Sequence, residues 1–457
     1  MSLRSVPMIH DTRIKVLSDA PVREGAFVLY WMQASQRAHL NHALEFAARQ
    51  ADALKVPLVV GFGLHAGYPE ANARHFAFML QGLQVTAAAL RERGIAFIVR
   101  EAPPDEAALQ LAPQACTVVC DRGYLRHQKQ WRERVAREAG CRVVQVETDV
   151  VVPVEVASDH EEYAARTIRP KLHQHLDDYL VDLGERGPER DSLSLKLDSA
   201  DVIDWQAALA RLDVDRSVAP VSDYMGGTSE AERLMHEFVI ERLAQYDERR
   251  NEPADNWVSQ MSPYLHFGQI SPVYVASEVL GHEGEEAYLE ELIVRRELAM
   301  NLCEYNPRYD STEALPDWAF KTLADHARDE RPYVYTAQQL ERAETHDPYW
   351  NAAQTEMVLT GKMHNYMRMY WGKKIVEWTR DPTDAHSLMA WLNNKYELDG
   401  RDPVSWTNFA WIFGKHDRPW KERPVFGKIR WMSAEGLERK FEIERYVAKV
   451  QQRQAAG

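Results

Sequence analysis

The stretch "AFVLYWMQASQRAHLNHALEFAARQADALKVPLVVGFGL", residues 26–64, decides the fold of the N-terminal part of the chain. It begins and ends with short apolar runs, at 26–32 and 56–64, that are rich in β-branched and aromatic residues. A helical pattern near 35–54 separates the two runs. This order predicts two buried strands joined by a helix, which is typical of a parallel sheet.

The same alternation continues beyond this unit. The runs "IAFIVRE" (95–101), "TVVCD" (117–121) and "RVVQVET" (142–148) predict further strands, and helical patterns lie near 69–93, 104–114 and 125–139. The N-terminal part is therefore predicted to be a Rossmann-like, doubly wound α/β domain with a parallel sheet. Its first turn, "MQASQRAHLNH", contains no GxGxxG, which argues against ordinary NAD binding.

The length of 457 residues exceeds what one hydrophobic core supports, so several domains are expected. We predict an α/β domain at 1–182, a connector at 183–228 and an all-α domain at 229–457. The connector is polar and broken, as in "LGERGPERDSLSLKLDSADVID". Strand patterns nearly vanish after it.

The net charge of −14 argues against a chain that wraps nucleic acid nonspecifically. The charge is unevenly distributed, however. Residues 362–380 hold five Lys and Arg but one acid, so a polyanion could dock on one face.

Cysteine usage and hydropathy indicate the compartment. The four cysteines form no CxxC pair, so we expect reduced thiols and no structural metal. No run of eighteen uncharged apolar residues is present, and the start, "MSLRSVPMIHDTR", lacks the apolar run of a signal peptide. We therefore expect a cytoplasmic protein that does not enter a membrane.

The first motif of chemical interest is "SQMSPYLHFGQISP", residues 259–272. Ser259, Gln260 and Ser262 precede a proline at a helix start, where hydroxyl and free N–H groups can hold a phosphate. An ordinary helix cap is the alternative.

The second motif is "LEELIVRRELAMN", residues 289–301. Glu291 could point into a cavity and bind a ligand, while Arg295 or Arg296 binds a phosphate. A surface salt bridge between Glu291 and Arg295, four residues apart on a helix, is the alternative.

The third motif is "GKMHNYMRMYWGKKIVEW", residues 361–378, which predicts one helix with an apolar face. Trp371 and Trp378 are two turns apart, or roughly 10 Å, and Trp350 arrives from the preceding element. The spacing suits electron hopping between indoles. It equally suits a buried core helix.

The fourth motif is "WLNNKYELDGRDPVSWTNFAWIFGKHDRPW", residues 391–420. Its Asn and Asp residues, among them Asn393 and Asp399, lie beside Trp406 and Trp411 and predict a polar-lined aromatic pocket. A solvated loop between two core helices is the alternative.

Together and in this order, the four motifs and "YWMQASQRAHLNHALEFA" resemble the photolyase and cryptochrome family, and specifically its class II cyclobutane pyrimidine dimer photolyases. The resemblance covers most of the chain. It implies a helical domain that holds FAD, whose photoexcited reduced anion passes an electron to a pyrimidine dimer flipped out of UV-damaged DNA.

The resemblance also implies residue roles around FAD. The segment at the phosphates and ribityl chain would comprise Tyr246, Ser259, Gln260, Met261 and Ser262. Arg368 and Asp399 would form an ion pair beside the isoalloxazine. Asn393 would face the redox-active ring nitrogen, where an amide can donate or accept a hydrogen bond.

For the lesion, the resemblance implies that Glu291 hydrogen-bonds the dimer and that Arg250 and Asn251 contact its backbone. Met369 and Trp411 would form the pocket walls. The electron path that reduces FAD would comprise Trp371, Trp350 and Trp378. Charge alone suggests DNA phosphate contacts for a C-terminal set: Lys421, Arg423, Lys428 and Arg430.

The chain departs from the class pattern at Asn365, where Met-His-Gly-Tyr is usual and Met363-His364-Asn365-Tyr366 stands here. No motif decides whether the α/β domain holds a deazaflavin antenna or none. We expect a monomer, associated with the nucleoid if the source is bacterial or archaeal. The alternative function is a cryptochrome-like blue-light receptor that binds FAD without repairing DNA.

Overall fold

The structure, a computed structural model, describes residues 9–456. The first eight residues, on which the expectation of no signal peptide partly rests, lie outside this range. The strands are β1 (Ile14–Val16), β2 (Phe27–Met32), β3 (Leu58–Gly63), β4 (Ala96–Arg100), β5 (Ala115–Asp121) and β6 (Arg142–Val146).

Helices alternate with the strands up to residue 138 and dominate after residue 154. The first group is α1 (His42–Leu54), α2 (Ala73–Glu92), α3 (Pro104–Leu111), α4 (Arg126–Glu138), α5 (Val154–Ala157), α6 (Ala165–His173), α7 (Leu176–Tyr179) and α8 (Trp205–Arg211). The second group begins with α9 (Thr228–Glu241), α10 (Tyr246–Arg249), α11 (Ser262–His266), α12 (Pro272–Val279), α13 (Glu285–Leu289), α14 (Arg296–Tyr305), α15 (Asp317–Asp325) and α16 (Ala337–Glu341). It ends with α17 (Pro348–Thr360), α18 (Asn365–Trp378), α19 (Pro382–Tyr396), α20 (Pro403–Ile412), α21 (Ala434–Lys440) and α22 (Ile443–Ala456).

The sheet has six strands in the order β1-β6-β5-β2-β3-β4. All neighbours are parallel except β1, which pairs antiparallel with β6. The prediction of a parallel sheet is confirmed for five strands and misses the sixth. Strand β1 has three partly or fully exposed residues, so it carries no apolar run that sequence reasoning could detect.

The first helix begins later than its apolar pattern predicted. The pattern near 35–54 becomes α1 only at His42, because the Asp121 carboxylate accepts hydrogen bonds from the backbone N–H groups of Gln33 (3.1 Å) and Ser35 (2.8 Å). These bonds hold the end of β2 in an irregular turn. The side chain of Asn41 then caps α1 by accepting a hydrogen bond from Leu44 N.

The helix predicted for residues 361–378 is two helices instead of one. Gly361 has φ 73°, a left-handed conformation, and ends α17, whereas α18 starts at Asn365. From there the predicted apolar face is buried, with Met367, Tyr370 and Trp378 all at 1% exposure or less. This helix lies at the centre of the C-terminal core.

The sheet and the helical part are joined by buried charges. The Arg37 guanidinium donates to Gly268 O at 3.0 Å and pairs with Asp149 at 2.8 Å. Arg74 on α2 donates to Tyr396 O at 2.8 Å. These bonds fix the helical part against the carboxyl ends of the strands. The predicted boundaries at residues 182 and 228 stay a prediction.

Within residues 9–456, no helix is both long enough and apolar enough to cross a membrane.

Candidate functional site

Two adjoining cavities open in the helical part, of about 560 Å³ and about 470 Å³. We call them the outer cavity and the inner cavity. Loops and helices from α10 to α22 supply most of the walls. Residues shared by both linings are Ser262, Asn365, Arg368, Asp399, Val404 and Asn408.

An ion cluster lies at this shared wall. Arg368 Nη2 on α18 contacts Asp399 Oδ1 at 2.9 Å and also Glu397 Oε2 at 2.8 Å. Burial alone would raise the pKa of Asp399, but the charges of Arg368 and Lys362 hold that pKa below its ordinary value. Burial raises the pKa of Glu397 to about 8. The predicted Arg368 and Asp399 pair therefore forms, and Glu397 is a third member that sequence reasoning missed.

The predicted phosphate segment lines the same cavities. Tyr246, Ser259 and Met261 face the outer cavity, and Gln260 faces the inner one. Gln260 has φ 62°, a left-handed conformation that turns its side chain to accept a hydrogen bond from Tyr224 Oη at 2.8 Å. The Ser259 hydroxyl accepts a hydrogen bond from Tyr288 Oη at 2.9 Å. The segment thus presents hydroxyl and amide groups to the cavities.

His364 is a further inner-cavity residue that sequence reasoning missed. Its Nδ1 accepts a hydrogen bond from Tyr366 N at 3.2 Å, whereas its buried Nε2 has no hydrogen-bond partner. Burial lowers the pKa of His364 to about 4, so the imidazole is neutral at pH 7. An unpartnered N–H at a cavity wall is suited to a polar ligand.

Asn393 lies behind the wall and is not among the residues lining either cavity. Its Nδ2 is 3.4 Å from the Ser405 hydroxyl, and Ser405 lines the outer cavity. Its predicted position facing the flavin ring stays a prediction.

Glu291 projects from a π-helical turn, Glu290–Arg295, that precedes α14. Such turns often occur at functional sites because the extra residue redirects side chains. Glu291 Oε1 is 2.7 Å from Arg250 Nη1, and both residues line the outer cavity together with Asn251. The alternative pairing of Glu291 with Arg295 is wrong, because in the π turn Arg295 pairs with Glu290 at 3.0 Å.

Met369 and Trp411, the expected pocket walls, also line the outer cavity, and so does Arg430 of the expected DNA-contact set. The Arg430 guanidinium lies 5.9 Å from the Trp411 ring centroid and 5.5 Å from that of Trp420. Lys373, one of the five basic residues at 362–380 that were expected to offer a docking face to a polyanion, is instead buried behind this wall, 5.6 Å from the Trp411 ring centroid.

The rest of the predicted C-terminal basic set lies away from the cavity lining. The Arg423 guanidinium stacks on Trp431 at 3.4 Å, and Lys428 lies 3.7 Å from Glu422. Lys421 is exposed. Of that set, the structure brings Arg430 to the cavity.

The three predicted electron-transfer tryptophans form one contiguous group. Trp350 lies between the other two, with its ring stacked 6.4 Å from Trp371 and edge-on 5.4 Å from Trp378. Trp371 Nε1 donates to Gln354 Oε1 at 2.9 Å, which fixes its orientation. All three are at most 3% exposed. Trp371 is one turn along α18 from Arg368, so the group begins near the cavities.

A third, smaller cavity of about 110 Å³ lies at the carboxyl ends of the parallel strands. Its lining includes Gln33, Gln36, Tyr68 and Trp131. The Gln33 amide nitrogen and oxygen and the Gln36 amide oxygen are buried without hydrogen-bond partners. Ligands of α/β sheets bind at this edge.

Comparison with known proteins finds similarity to one protein family. The DNA photolyase family profile matches residues 28–189. The chain is 49% identical to the deoxyribodipyrimidine photo-lyase of Methanothermobacter thermautotrophicus over 97% of this chain and 99% of that protein. It is 42% identical to the deoxyribodipyrimidine photo-lyase of Oryza sativa over 96% of this chain and 90% of that protein.

Solved structures share the fold at low sequence identity. A class III photolyase from Agrobacterium tumefaciens superposes with a TM-score of 0.73 at 18% identity, covering 95% of this chain and 88% of that one. A photolyase from Sulfolobus tokodaii, solved with two FAD molecules, superposes with a TM-score of 0.71 at 16% identity, covering 92% and 89%.

Proposed function

The chain belongs to the DNA photolyase family, and from this premise we propose that it is a deoxyribodipyrimidine photo-lyase of class II that repairs cyclobutane pyrimidine dimers in light. The observation that carries the proposal is the shared wall of the two cavities. A cofactor in the inner cavity and a base in the outer cavity would both touch this wall at Arg368, Asp399 and Asn365.

FAD fits the residues around the inner cavity. Hydroxyl and amide groups of Ser259, Gln260 and Ser262 would hold its phosphates and ribityl chain, and His364 Nε2 needs a polar partner. When bound and reduced, FAD supplies under illumination the electron that opens the dimer, and this electron afterwards returns to FAD. The residues of the chain have to bind FAD, orient it and exclude water.

The charge balance of the ion cluster favours the reduced anion of FAD. Asp399 and Glu397 interact electrostatically with both Arg368 and Lys362, and Glu356 interacts with Lys362. Burial raises the pKa of both glutamates, and that of Glu397 reaches about 8, so it is largely protonated at pH 7. The protonated form of Glu397 removes one negative charge from the cluster, and this loss would favour an anionic ring beside Arg368 and Lys362.

The outer cavity suits a flipped dimer. The Glu291 carboxylate would accept a hydrogen bond from the pyrimidine, and Trp411 and Met369 would pack against its rings. Stacking of one base is worth about 1 to 3 kcal/mol, which offsets much of the cost of flipping. Arg250, now paired with Glu291, would turn to a backbone phosphate with Asn251, while Arg430 would contact DNA at the cavity edge.

The Trp371, Trp350 and Trp378 group would carry an electron inward to oxidised FAD in light. Each indole contacts the next, and burial limits side reactions with solvent. This path would prepare the enzyme and would not enter the repair step itself. Asn393 is proposed to face FAD after a rotation that breaks its weak contact with Ser405.

For the antenna we propose the third cavity. The unpartnered Gln33 amide and the unpartnered Gln36 amide oxygen would hold the polar edge of a deazaflavin. The cavity of about 110 Å³ is below the usual range for ligand sites, roughly 300 to 1,000 Å³, so a three-ring molecule requires Tyr68 or Trp131 to move. A second fluorescence excitation band besides that of flavin, in protein reconstituted with a deazaflavin, tests the site.

The deciding experiment is repair of a thymine dimer oligonucleotide by the reduced monomeric holoprotein, in light and in darkness, followed by the return of thymine absorbance. Recovery in light alone supports the proposal. Bound, photoreducible FAD without recovery would instead favour the cryptochrome-like receptor, which needs neither Glu291 nor Arg250 at the outer cavity.

A further inference from the structure

A crevice of about 590 Å³ lies outside the two catalytic cavities, where the sheet domain meets the helical part. One side is α4, which contributes Lys129, Arg132 and Ala136. The other side comprises β1 and the segment after it, with Glu304 of α14 at one end. The mechanism proposed above uses none of these residues.

Arg132 is the unexplained group in the crevice. It is 5% exposed, and within residues 9–456 it makes no hydrogen bond or ion pair. Its Nη1 is fully buried without a partner, while the rest of the guanidinium lines the crevice. Neighbouring cations differ: Arg122 pairs with Glu147 at 3.0 Å, and Lys129 pairs with Glu304 at 3.1 Å.

An unpaired buried cation is unfavourable, because water no longer solvates it and no anion lies within ion-pair distance to replace the water. Burial accordingly lowers the pKa of Arg132 from its ordinary value. A guanidinium binds planar or tetrahedral oxyanions through several N–H groups at once. A bound oxyanion would therefore give Arg132 an anionic partner through the part of the guanidinium that lines the crevice.

The other charges restrict the kind of anion. Lys15, Arg122, Lys129 and Arg137 line the crevice with Arg132, but so do three acids, Asp19, Glu133 and Glu304. The carboxylate of Glu304 is already neutralised by Arg122 and Lys129. The remaining acids would repel a long polyanion such as DNA, whereas one compact phosphate group beside Arg132 avoids them.

We infer that this crevice is a binding site for the phosphate group of a small molecule, with Arg132 as its main ligand. The inference does not depend on the repair function, since no residue of the repair site takes part. Inorganic phosphate, diphosphate and adenosine monophosphate are the probes that separate a free phosphate site from a phosphate-ester site.

The test is the melting temperature of the FAD-loaded protein against 0 to about 20 mM of each probe, at constant ionic strength set with NaCl. Loading with FAD keeps phosphate out of the cofactor site. Bound ligand stabilises the folded state in proportion to ln(1 + [L]/Kd). We expect at least one probe to raise the melting temperature of the parent and of Arg137→Gln, and to leave Arg132→Gln unchanged.

Arg137 is the matched control because it lies on the same helix, lines the same crevice and is two-thirds exposed, with Glu138 as its partner at 2.7 Å. Without probe, Arg132→Gln should melt at or above the parent temperature, since an unpaired buried charge is removed. Three outcomes would each overturn the inference. They are an equal probe response in Arg132→Gln and the parent, no response of the parent to any probe, and a lower melting temperature of Arg132→Gln than of the parent without probe.

Discussion

Truncation of Glu291 to Ala separates stability from lesion recognition. The Arg250 and Glu291 side chains are 26% and 34% exposed and 2.7 Å apart. A pair this exposed contributes about 0 to 1 kcal/mol to folding. In a chain of this size such a loss shifts the melting temperature by about 2 °C or less. The variant should therefore fold and bind FAD as the parent does.

Lesion binding should respond far more strongly. A hydrogen bond to a charged group contributes about 1.5 to 3 kcal/mol, which corresponds to roughly a 10- to 150-fold change in affinity. Glu291→Ala should weaken binding to dimer-containing DNA by that factor. Undamaged DNA should bind as before or slightly better, because Arg250 is released to contact phosphates.

The assay is fluorescence anisotropy in darkness with matched damaged and undamaged oligonucleotides, followed by single-turnover repair in light. Glu286→Ala is the control, since Glu286 is an exposed glutamate of α13, five residues before Glu291, and lines neither cavity. An unchanged ratio of damaged to undamaged affinity in Glu291→Ala would refute the assignment of Glu291 to the lesion.

Three further changes test other parts of the structure. Trp350→Phe should abolish photoreduction of oxidised FAD, read by absorbance, yet leave repair by chemically reduced enzyme intact; equal photoreduction would exclude this path. Burial lowers the pKa of Lys373 to about 7, so unfolding takes up a proton between pH 7 and 10.5 and the stability of the parent rises with pH across that window. Lys373→Met should lose this rise of stability with pH. At pH 7 its free energy of unfolding, measured with denaturant, should be about 2 to 4 kcal/mol higher than that of the parent, a gain already reduced by the lost hydrogen bond to Ile412 O. The same dependence of stability on pH in both proteins would contradict this prediction. Gly268→Ala should lower the free energy of unfolding by at least about 2 kcal/mol, since φ is +63° and the new Cβ would meet the Ala34 carbonyl. An unchanged melting temperature would argue against this contact between the helical part and the sheet domain.

The sequence alone determined the features that depend on neighbours along the chain. Alternating apolar runs specified five parallel strands, and helical spacing specified the buried face of α18 with Trp371 and Trp378. The order of the motifs identified the family. The strand and helix signals each lie in residues within about two turns or one strand of each other, and the order of the motifs is read along the chain, so no tertiary information is needed to detect them.

Tertiary structure decided the features that depend on distant partners. Trp350 lies between Trp371 and Trp378 only after α17 packs on α18. Glu291 pairs with Arg250, 41 positions away, because a π turn redirects it. The pKa of Glu397 and the missing partner of Arg132 follow from burial by several elements at once. Exposure and long-range pairing are properties of the packed chain, and for that reason no local pattern in the sequence contains them.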